Sequence, residues 1–347
     1  MNYQKFIVFV ISMLTVVALG VTLYYFMKDE EVINLQTSEV SVNVGDKFKL
    51  NYLHENALDG TKIEWDIINN ELVSFDESTN EFTALKGGET EIILETNRNG
   101  WRPQRCLVRI GDGSEENPFM VSNADQLYSG LATLSQDAIN SNFKLIADID
   151  LKNDNKTFSP LFNGQKFAGN FNGNNHTISN LKIESDIVLE SAGLFYGIAC
   201  NGKVHNLTLE NVFISGNIAN VGAVAGLNNG IIEKIRVNNA TLSSTMESKI
   251  ANIGSIAGTV SAVKDITTAV VNYAKIGRVD RCQINNATLI GYKESVIGGI
   301  VANLDGGTII NSAFAGLITT DNNNTVASAI VANMSANANQ NAKLNKK

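Results

Sequence analysis

The chain begins with an unbroken apolar segment. From Phe6 to Met27 it reads FIVFVISMLTVVALGVTLYYFM and contains no charged residue. A helix of this length, at about 1.5 Å per residue, spans about 33 Å and can cross a hydrocarbon core of about 30 Å. A cleavable secretory signal usually has a shorter apolar core, of about 7–15 residues. We therefore expect residues 1–31 to form a transmembrane signal anchor that leaves the rest of the chain outside the cell membrane.

Residues 32–112 carry short runs of alternating apolar and polar residues, separated by Gly, Asn and Asp. Examples are SVNVGDKFKL (41–50), KIEWDI (62–67) and RCLVRI (105–110). Alternation with a period of two, over short runs at this spacing, predicts a small antiparallel β-sandwich. Trp65 is then expected in the core of the sandwich rather than in a ligand site.

These elements resemble the group 2 bacterial immunoglobulin-like domain. VGDKFKL, the Trp of IEWDI, FTALKGGETEI and the closing CLVRI follow one another in the order of that family. The resemblance implies an immunoglobulin-like domain over residues 32–112. Such domains most often act as spacers, and some bind host surfaces.

From about residue 115 the chain consists of repeats. The repeated motif is GLFYG at Gly193, GAVAG at Gly222, GSIAG at Gly254, GGIVA at Gly298 and SAIVA at Ser328. Most copies are followed by a second element with alternating apolar residues, such as GIIEKIRVNNATL (230–242) and IGRVDRCQINNATLIG (276–291). One unit is too small to bury its apolar face, whereas stacked units bury a continuous core. The repeats therefore predict a solenoid, with about six coils.

Asparagine suits the corners of such coils. In GNFNGNNHTISNL (169–181) it occupies almost every second position. Successive coils lie about 4.8 Å apart, so equivalent Asn side chains can form hydrogen-bonded ladders. Asn also tolerates the left-handed backbone conformation of a tight corner. We therefore place corners at the NN pairs 228–229, 238–239 and 285–286.

Residues 115–347 resemble the GLUG-repeat β-helices of bacterial surface proteins. The resemblance rests on ENPFMVSNADQLYSGL (116–131), FAGNFNGNNHTISNLKI (167–183) and the Gly-rich repeats that follow. It implies a right-handed parallel β-helix with a helix that caps the first coil, and a scaffold found in adhesins and beside protease domains. The chain departs from the family in the extra residues of TVSAVKDITTAVVNYAKI (259–276) and in a polar C-terminal tail. We expect the extra residues to project from one lateral face as a loop or short helix.

Composition and charge exclude several classes of protein. A hydrophobic content of 44% with three prolines argues against disorder. The net charge of −8 leaves no basic footprint for nucleic acid. The three cysteines, Cys106, Cys200 and Cys282, are widely scattered. This spacing predicts that each cysteine is a small buried residue, and that the three form neither a disulfide framework nor a metal-binding pair.

Candidates for chemistry are few. HENAL (54–58) has Leu58 where a zinc-protease motif needs its second His. Asp148 and Asp150 share one face of a predicted strand, and Asp154 follows. Their oxygens are weak calcium candidates, with solvated, turn-forming Asp as the alternative. His176 is expected to stabilise a turn. The sequence shows no acid/base pair and no phosphate-binding loop, so we assign no catalytic residue and no cofactor.

Together these patterns predict an all-β, membrane-anchored cell-surface protein. Its β-helix is expected to bind a glycan or protein ligand through a lateral face, without enzymatic activity and without nucleic acid. Two alternatives stay open: a carbohydrate-active β-helix enzyme (polysaccharide lyase or hydrolase) and a purely structural envelope component. A cleft with three or more carboxylates, or with Arg and Lys beside Asp, would favour the enzyme. A flat face with exposed aromatic residues would favour binding.

The anchor is directly testable. Because the apolar segment is long and lacks a strong cleavage site, we expect the mature protein to keep Met1–Met27 and to stay in the membrane fraction. N-terminal sequencing and fractionation measure this. A mature N-terminus near Val21, with protein in the medium, would contradict it.

Overall fold

The computed structural model describes residues 17, 31–98, 100–130, 136–152, 158–264, 271–320 and 325–335. Nearly all of their regular structure is β, as predicted. They divide into two compact units, with the boundary between Ile110 and Gly111. Among these residues, no helix is long and apolar enough to span a membrane. The predicted span 6–27 lies outside them except for residue 17.

The described residues of the first unit form nine short strands in three sheets. Strands β2-β9-β8-β5 form one sheet, β3-β7-β6 a second, and β1 pairs with β4. The strands are β1 (Val32–Leu35), β2 (Glu39–Asn43), β3 (Lys47–Phe48), β4 (Tyr52–Glu55), β5 (Ile63–Ile67), β6 (Val73–Asp76), β7 (Glu81–Ala84), β8 (Gly88–Thr96) and β9 (Gln104–Gly111).

The core of this unit is shared by the four-stranded and three-stranded sheets. Phe82 of β7 is 1% exposed and lies in one cluster with Ile92 of β8 and Val108 of β9. Trp65 packs edge-on against Phe82, with ring centroids 5.4 Å apart. Trp65 is thus partly buried and packs against the core of the unit, in agreement with the prediction. The family assignment of the unit stays a prediction.

His54, the histidine of HENAL, has a structural partner. Its Nε2 lies 2.8 Å from Glu31 Oε1, and Thr61 Oγ1 donates to the same oxygen at 2.7 Å. These two hydrogen bonds lower the pKa of the Glu31 carboxyl to about 2. The contacts tie the start of the first unit to β4 and the loop that follows it.

The described residues of the second unit form twenty-two strands, arranged in a fifteen-stranded and a seven-stranded sheet. They are β10 (Phe119–Val121), β11 (Asn142–Leu145), β12 (Ile149–Asp150), β13 (Leu161–Phe167), β14 (Asn170–Asn172), β15 (Thr177–Ser179), β16 (Lys182–Ala192), β17 (Phe195–Ile198), β18 (Lys203–Val221), β19 (Ala225–Asn228), β20 (Ile231–Ser244), β21 (Asn252–Gly254), β22 (Ala257–Lys264), β23 (Val271–Ile276), β24 (Arg278–Asp280), β25 (Gln283–Gly291), β26 (Val296–Gly298), β27 (Val301–Asp305), β28 (Thr308–Ile310), β29 (Ala313–Thr320), β30 (Val326–Ser328) and β31 (Val331–Met334). A π-helical turn spans Gln126–Gly130 and a 3₁₀ turn spans Gln136–Asn140.

Strands of successive repeats pair in parallel and in register. One inward column runs through seven levels: Phe119, Phe143, Phe171, Val204, Ile232, Val279 and Ile309. All but Phe119 are buried. The described residues thus form a stack of parallel coils with a continuous apolar core, as the repeats predicted. Right-handedness stays a prediction.

The Gly-rich motifs also stack in register. Phe195, Ala225, Ala257, Val301 and Val331 pair level by level. A Cβ on Gly222 would lie 2.5 Å from the Ala257 Cα of the next coil. Such a contact is impossible without displacing the backbone, so the repeated glycine permits the close approach of adjacent coils.

The predicted asparagine ladders are present. Asn285 Nδ2 donates to Asn238 Oδ1 at 2.9 Å, and Asn286 Nδ2 donates to Asn239 Oδ1 at 2.8 Å. Asn239 and Asn286 have φ values of 53° and 55° and form left-handed corners. Both functions proposed for Asn, stacking and corner formation, thus occur in the NNATL repeats. Asn228 does not have a positive φ and is not bonded to another Asn side chain. Its Oδ1 instead accepts a hydrogen bond from Gly230 N at 3.0 Å.

Two local predictions need correction. The described residues of 259–276 lie mostly in strands and not in a helix, because β22 and β23 pair in an antiparallel manner through Ala262–Ile276 and Lys264–Val271. Residues 265–270 between them lie outside the described part. The β-branched residues of this segment favour strand over helix. Cys200 is only partly buried, unlike Cys106 and Cys282.

The register of the coils can be tested at Ile256. Ile256 and Ile300 are fully buried, and Ile256 N donates to Ile300 O at 3.0 Å. Ile256→Asp places an unpaired charge in the core and should cost at least about 3 kcal/mol of the free energy of unfolding. Thermal melting followed by circular dichroism measures the loss. Ile250→Asp is the control, because Ile250 is 54% exposed and its replacement should change the melting temperature little. Equal effects of the two changes would contradict the observed register.

Candidate functional site

A corner between two strand faces carries an unusual set of side chains. The chain turns at Asn206 in β18, at Lys234 in β20 and at Arg281 after β24. Their φ values are 55°, 54° and 53°. Because flanking residues pair in register, these three lie on successive levels of one column. Two cations therefore occupy a left-handed corner that Asn fills in the coil below.

A groove runs along this corner on a lateral face of the stack. Thr208, Arg236 and Gln283 form a second outward column beside it, again on three levels. The groove has a volume of about 260 Å³. Its lining consists of Asn175, Asn206, Leu207, Thr208, Lys234, Ile235, Arg236, Arg281 and Gln283. Leu207 and Ile235 belong to the buried core beneath the groove, whereas Lys234, Arg236 and Arg281 are exposed, so the accessible lining consists mainly of charged and amide side chains.

Two buried carboxylates lie next to the groove, on the other side of the corner. Glu233 and Asp280 pair on successive levels, and their side chains are 9% and 5% exposed. Lys203 Nζ lies 2.8 Å from Glu233 Oε1. Arg278 Nη2 and Arg281 Nη2 lie 3.0 and 3.1 Å from Glu233 Oε2. Arg281 Nη2 also lies 3.2 Å from Asp280 Oδ2. Arg281 thus joins both carboxylates to the groove.

The electrostatics of this cluster hold Glu233 in its charged form. Burial raises the pKa of the Glu233 carboxyl, but hydrogen bonds and charges from Lys203 and Arg278 outweigh burial and lower it to about 2. A carboxylate with so low a pKa is a poor general acid or base near neutral pH. Glu233 is therefore held as an anion among its cationic neighbours.

His205, one level below Glu233, is neutral. Burial, followed by the charge of Lys203, lowers the pKa of His205 to about 4. Its Nε2 lies 2.9 Å from Asn170 Oδ1, and Asn206 Nδ2 donates to its Nδ1 at 2.8 Å. This pattern requires the hydrogen on Nε2. The ring thus links two amides and adds no charge to the cluster.

The corner concentrates positive charge on an acidic chain. Lys203, Lys234, Arg236, Arg278 and Arg281 are five cations against the two carboxylates Glu233 and Asp280, which leaves a local net charge of +3. The whole chain carries −8. This surface is therefore suited to an anionic or strongly polar ligand.

The predicted calcium candidates lie elsewhere and have other partners. Asp148 Oδ1 accepts hydrogen bonds from Thr177 N at 2.8 Å and from His176 Nδ1 at 3.1 Å. The first bond, followed by the second, lowers the pKa of Asp148. The contact also fits the predicted turn-stabilising hydrogen bond of His176.

Asp150 has a similar structural role. Its Oδ1 accepts hydrogen bonds from Asn180 Nδ2 at 2.7 Å and from Lys152 N at 2.9 Å. The Asn180 bond is the main reason for its lowered pKa. Asp154 lies outside the described residues. In the described part of the chain, no group of three or more His, Cys, Asp or Glu residues is placed to hold a metal ion.

Sequence reasoning did not single out the residues of the groove. Their signal was a deviation between aligned repeats: HNLT (205–208) becomes EKIR (233–236) and then DRCQ (280–283). Neutral residues at two outward positions are thus replaced by cations, next to a new carboxylate. This change becomes significant once the three segments are known to be neighbours.

A second cavity, of about 530 Å³, lies between the loops after β20 and β25. It is lined by residues 246–251 and 292–294. Two of its cations have carboxylate partners: Lys293 Nζ lies 2.7 Å from Glu247 Oε1, and Lys249 Nζ lies 2.9 Å from Glu190 Oε2. Its charges are therefore more balanced than those of the groove.

Comparison with known proteins gives two partial similarities. The chain is 32% identical over 139 residues to halomucin of Haloquadratum walsbyi, an alignment that covers 37% of this chain and 2% of halomucin. It is 33% identical over 134 residues to the "Putative Gly-rich membrane protein" of Evansella cellulosilytica, covering 37% of this chain and 15% of that protein. The chain thus matches only a small part of each relative. No family model matches the chain, and no solved structure matches it.

The ion pairs of Glu233 predict a pH-dependent stability. Since its pKa is about 2 in the folded chain against an ordinary 4.5, its contribution is complete above pH 4.5 and is lost as the pH falls through about 2. Glu233→Gln should therefore lower the free energy of unfolding by about 3 kcal/mol at neutral pH, at about 1.4 kcal/mol per pKa unit. The gap to the wild type should shrink towards pH 2.

Urea unfolding at several pH values measures this gap. Glu210→Gln is the matched control, because the Glu210 carboxylate accepts hydrogen bonds only from the amides of Asn238 and Asn239 among its described contacts. A gap for Glu233→Gln that does not change with pH would contradict the assigned ion pairs.

Proposed function

We propose that this chain is a surface- or membrane-associated binding protein, and that its stack of coils binds a glycan or protein ligand through the lateral groove. The proposal keeps the predicted anchor at residues 6–27 and the predicted immunoglobulin-like spacer. The observation that carries it is the groove, which four successive coils assemble from Asn175, Asn206, Lys234 and Arg281. Convergent polar side chains around a concave surface are the usual means by which a ligand site orients its ligand.

The carboxylates beside the groove support binding over catalysis. Arg and Lys do lie beside Asp and Glu here, which was the condition that favours a carbohydrate-active enzyme. However, Glu233 and Asp280 are 9% and 5% exposed and each is engaged by arginine. A general acid or base must reach the proton that it transfers. Carboxylates buried beneath their own counter-ions do not reach a sugar in the groove.

The relatives support the surface association. One is named halomucin and the other is named as a membrane protein. Together they point to a surface or membrane-associated protein, in agreement with the apolar segment at residues 6–27. A lateral groove on a stacked scaffold is accessible to large ligands in such a location, because the coils present it along their side.

Filling the groove tests the proposed site without a change of charge. Thr208 lies in the outward column of the groove, and Thr208→Trp should obstruct it while keeping a residue that favours strands. The full chain in detergent should bind components of a glycan and protein array, and Thr208→Trp should lose that binding. Thr241→Trp is the control, since Thr241 is also an outward strand residue but stacks on Phe213 away from the groove.

A polysaccharide-release assay on the same samples separates binding from catalysis. We expect no new reducing ends and no unsaturated sugars. Release that Thr208→Trp abolishes would establish the carbohydrate-active enzyme instead. A folded chain that binds nothing on the array and releases nothing would favour the structural envelope component.

A further inference from the structure

We propose that the ligand of the groove is an acidic oligosaccharide, whose carboxylate or sulfate groups are bound by Lys234, Arg236 and Arg281. This inference rests on the proposed function, because it names the ligand class of the same groove. Arginine and lysine bind such anions through charge-assisted hydrogen bonds. The three cations lie on two successive levels of the stack, about 4.8 Å apart along its axis. They therefore form a short cationic track that suits charges repeated along a chain molecule.

The corner positions of Lys234 and Arg281 are costly for the fold. Among the described residues, fourteen other than glycine have positive φ, and ten of them are Asn. The exceptions are Phe162, Lys234, Arg281 and Lys293. Asn is favoured there because its short side chain bonds locally, whereas other side chains strain the left-handed backbone. On the flanking levels of this corner the left-handed position is occupied by Asn206 and Asn311. Two strained cations on the adjacent levels between them break this local preference, as is expected at functional sites.

The charge of the track is available to a ligand. Lys203, Arg278 and Arg281 already pair with the buried carboxylates. Within the described part of the chain, neither Lys234 nor Arg236 takes part in an ion pair, and both side chains are exposed. Arg281 is held in place by Glu233 and Asp280. The groove thus presents two uncompensated cations beside one that is already oriented.

The remaining lining favours a glycan over a nucleic acid. Asn175, Asn206, Thr208 and Gln283 supply amides and a hydroxyl, which bond to sugar hydroxyls as both donors and acceptors. None of the nine lining residues is aromatic, so the groove is not the aromatic face that we expected from the sequence as a sign of binding. The same lining disfavours single-stranded nucleic acid, which is usually bound by stacking its bases on aromatic side chains. A volume of about 260 Å³ lies below the ~300–1,000 Å³ of sites that enclose a small ligand. It therefore fits a segment of a longer chain.

The test replaces two cations of the track by the neutral residues found at the equivalent positions of neighbouring coils. Lys234→Asn introduces the residue found at position 206, and Arg236→Gln introduces the residue found at position 283. The full chain in detergent is titrated with an oligogalacturonate, its neutral methyl ester, a sulfated oligosaccharide and a single-stranded oligonucleotide. The wild type should bind an acidic oligosaccharide, and binding should weaken with salt. The double variant should bind it at least about tenfold more weakly, the effect of losing hydrogen bonds to a charged group.

Lys293→Asn is the matched control. Lys293 also has a positive φ of 52° but lines the second cavity. Both Lys→Asn changes relieve the same backbone strain, so the melting temperature should stay equal or rise in each. Only the change at Lys234 should weaken binding. Loss of binding in both variants would overturn the assignment to the groove.

The remaining outcomes separate this inference from the proposed function. Equal binding of the oligogalacturonate and its methyl ester would overturn the acidic class. If Thr208→Trp still abolished that binding, the groove would remain the site. Preference for the oligonucleotide would overturn the glycan class. Failure of the wild type to bind any acidic oligosaccharide would overturn the inference. The proposed function would then be tested by the glycan and protein array alone.

Discussion

Parallel hydrogen bonding between successive coils places each residue directly above its counterpart, about 4.8 Å away, and this register governs the second unit. Inward positions must be apolar on every level, which yields the column from Phe143 to Ile309. At outward positions, side chains of the same type can lie directly above one another on successive levels, so they must be able to pack together. Asn meets this demand because its amide both donates and accepts, as the bonds between Asn238 and Asn285 and between Asn239 and Asn286 show. The repeated glycines have the same origin, since Gly222 lies against the backbone of the next coil.

The same register makes charge difficult to place. Two carboxylates on successive levels repel each other, and Glu233 and Asp280 occupy such positions. Their stability depends on cations from neighbouring columns, above all Arg278 and Arg281, each of which contacts both carboxylates. Once the carboxylates are neutralised inside the corner, the cations further out have no counterpart. The cations that neutralise the two buried carboxylates thus lie directly beside the exposed positive surface that we propose as a ligand site.

The first unit follows a different rule. Its strands pair in an antiparallel manner, and its core is a single cluster around Phe82 rather than a column. The short segment at its start is held by local polar contacts between Glu31, His54 and Thr61. These contacts give His54 a structural role, where a fragment of a zinc motif had suggested chemistry.

The sequence by itself determined the all-β class, the repeats, the packing of Trp65 against the core of the first unit and the use of Asn at corners. Each of these depends on local periodicity or on the conformational preference of one residue type, which a linear pattern records directly. The sequence also indicated the weak metal candidates Asp148 and Asp150, but not that their oxygens were already bonded to the next coil. Nor did it distinguish a hairpin from a helix after Ala257, because that choice depends on which strand is available for pairing.

The groove was decided by the tertiary structure alone. Asn206, Lys234 and Arg281 are far apart along the chain, with intervals of different length because of the hairpin inserted between the last two. Only the pairing of β18, β20 and β25 places them on one corner. The local positive charge, the burial of Glu233 and the neutral state of His205 all follow from that proximity. Electrostatic energies depend on distance and burial in space, and a linear sequence specifies neither until the register of the coils is known.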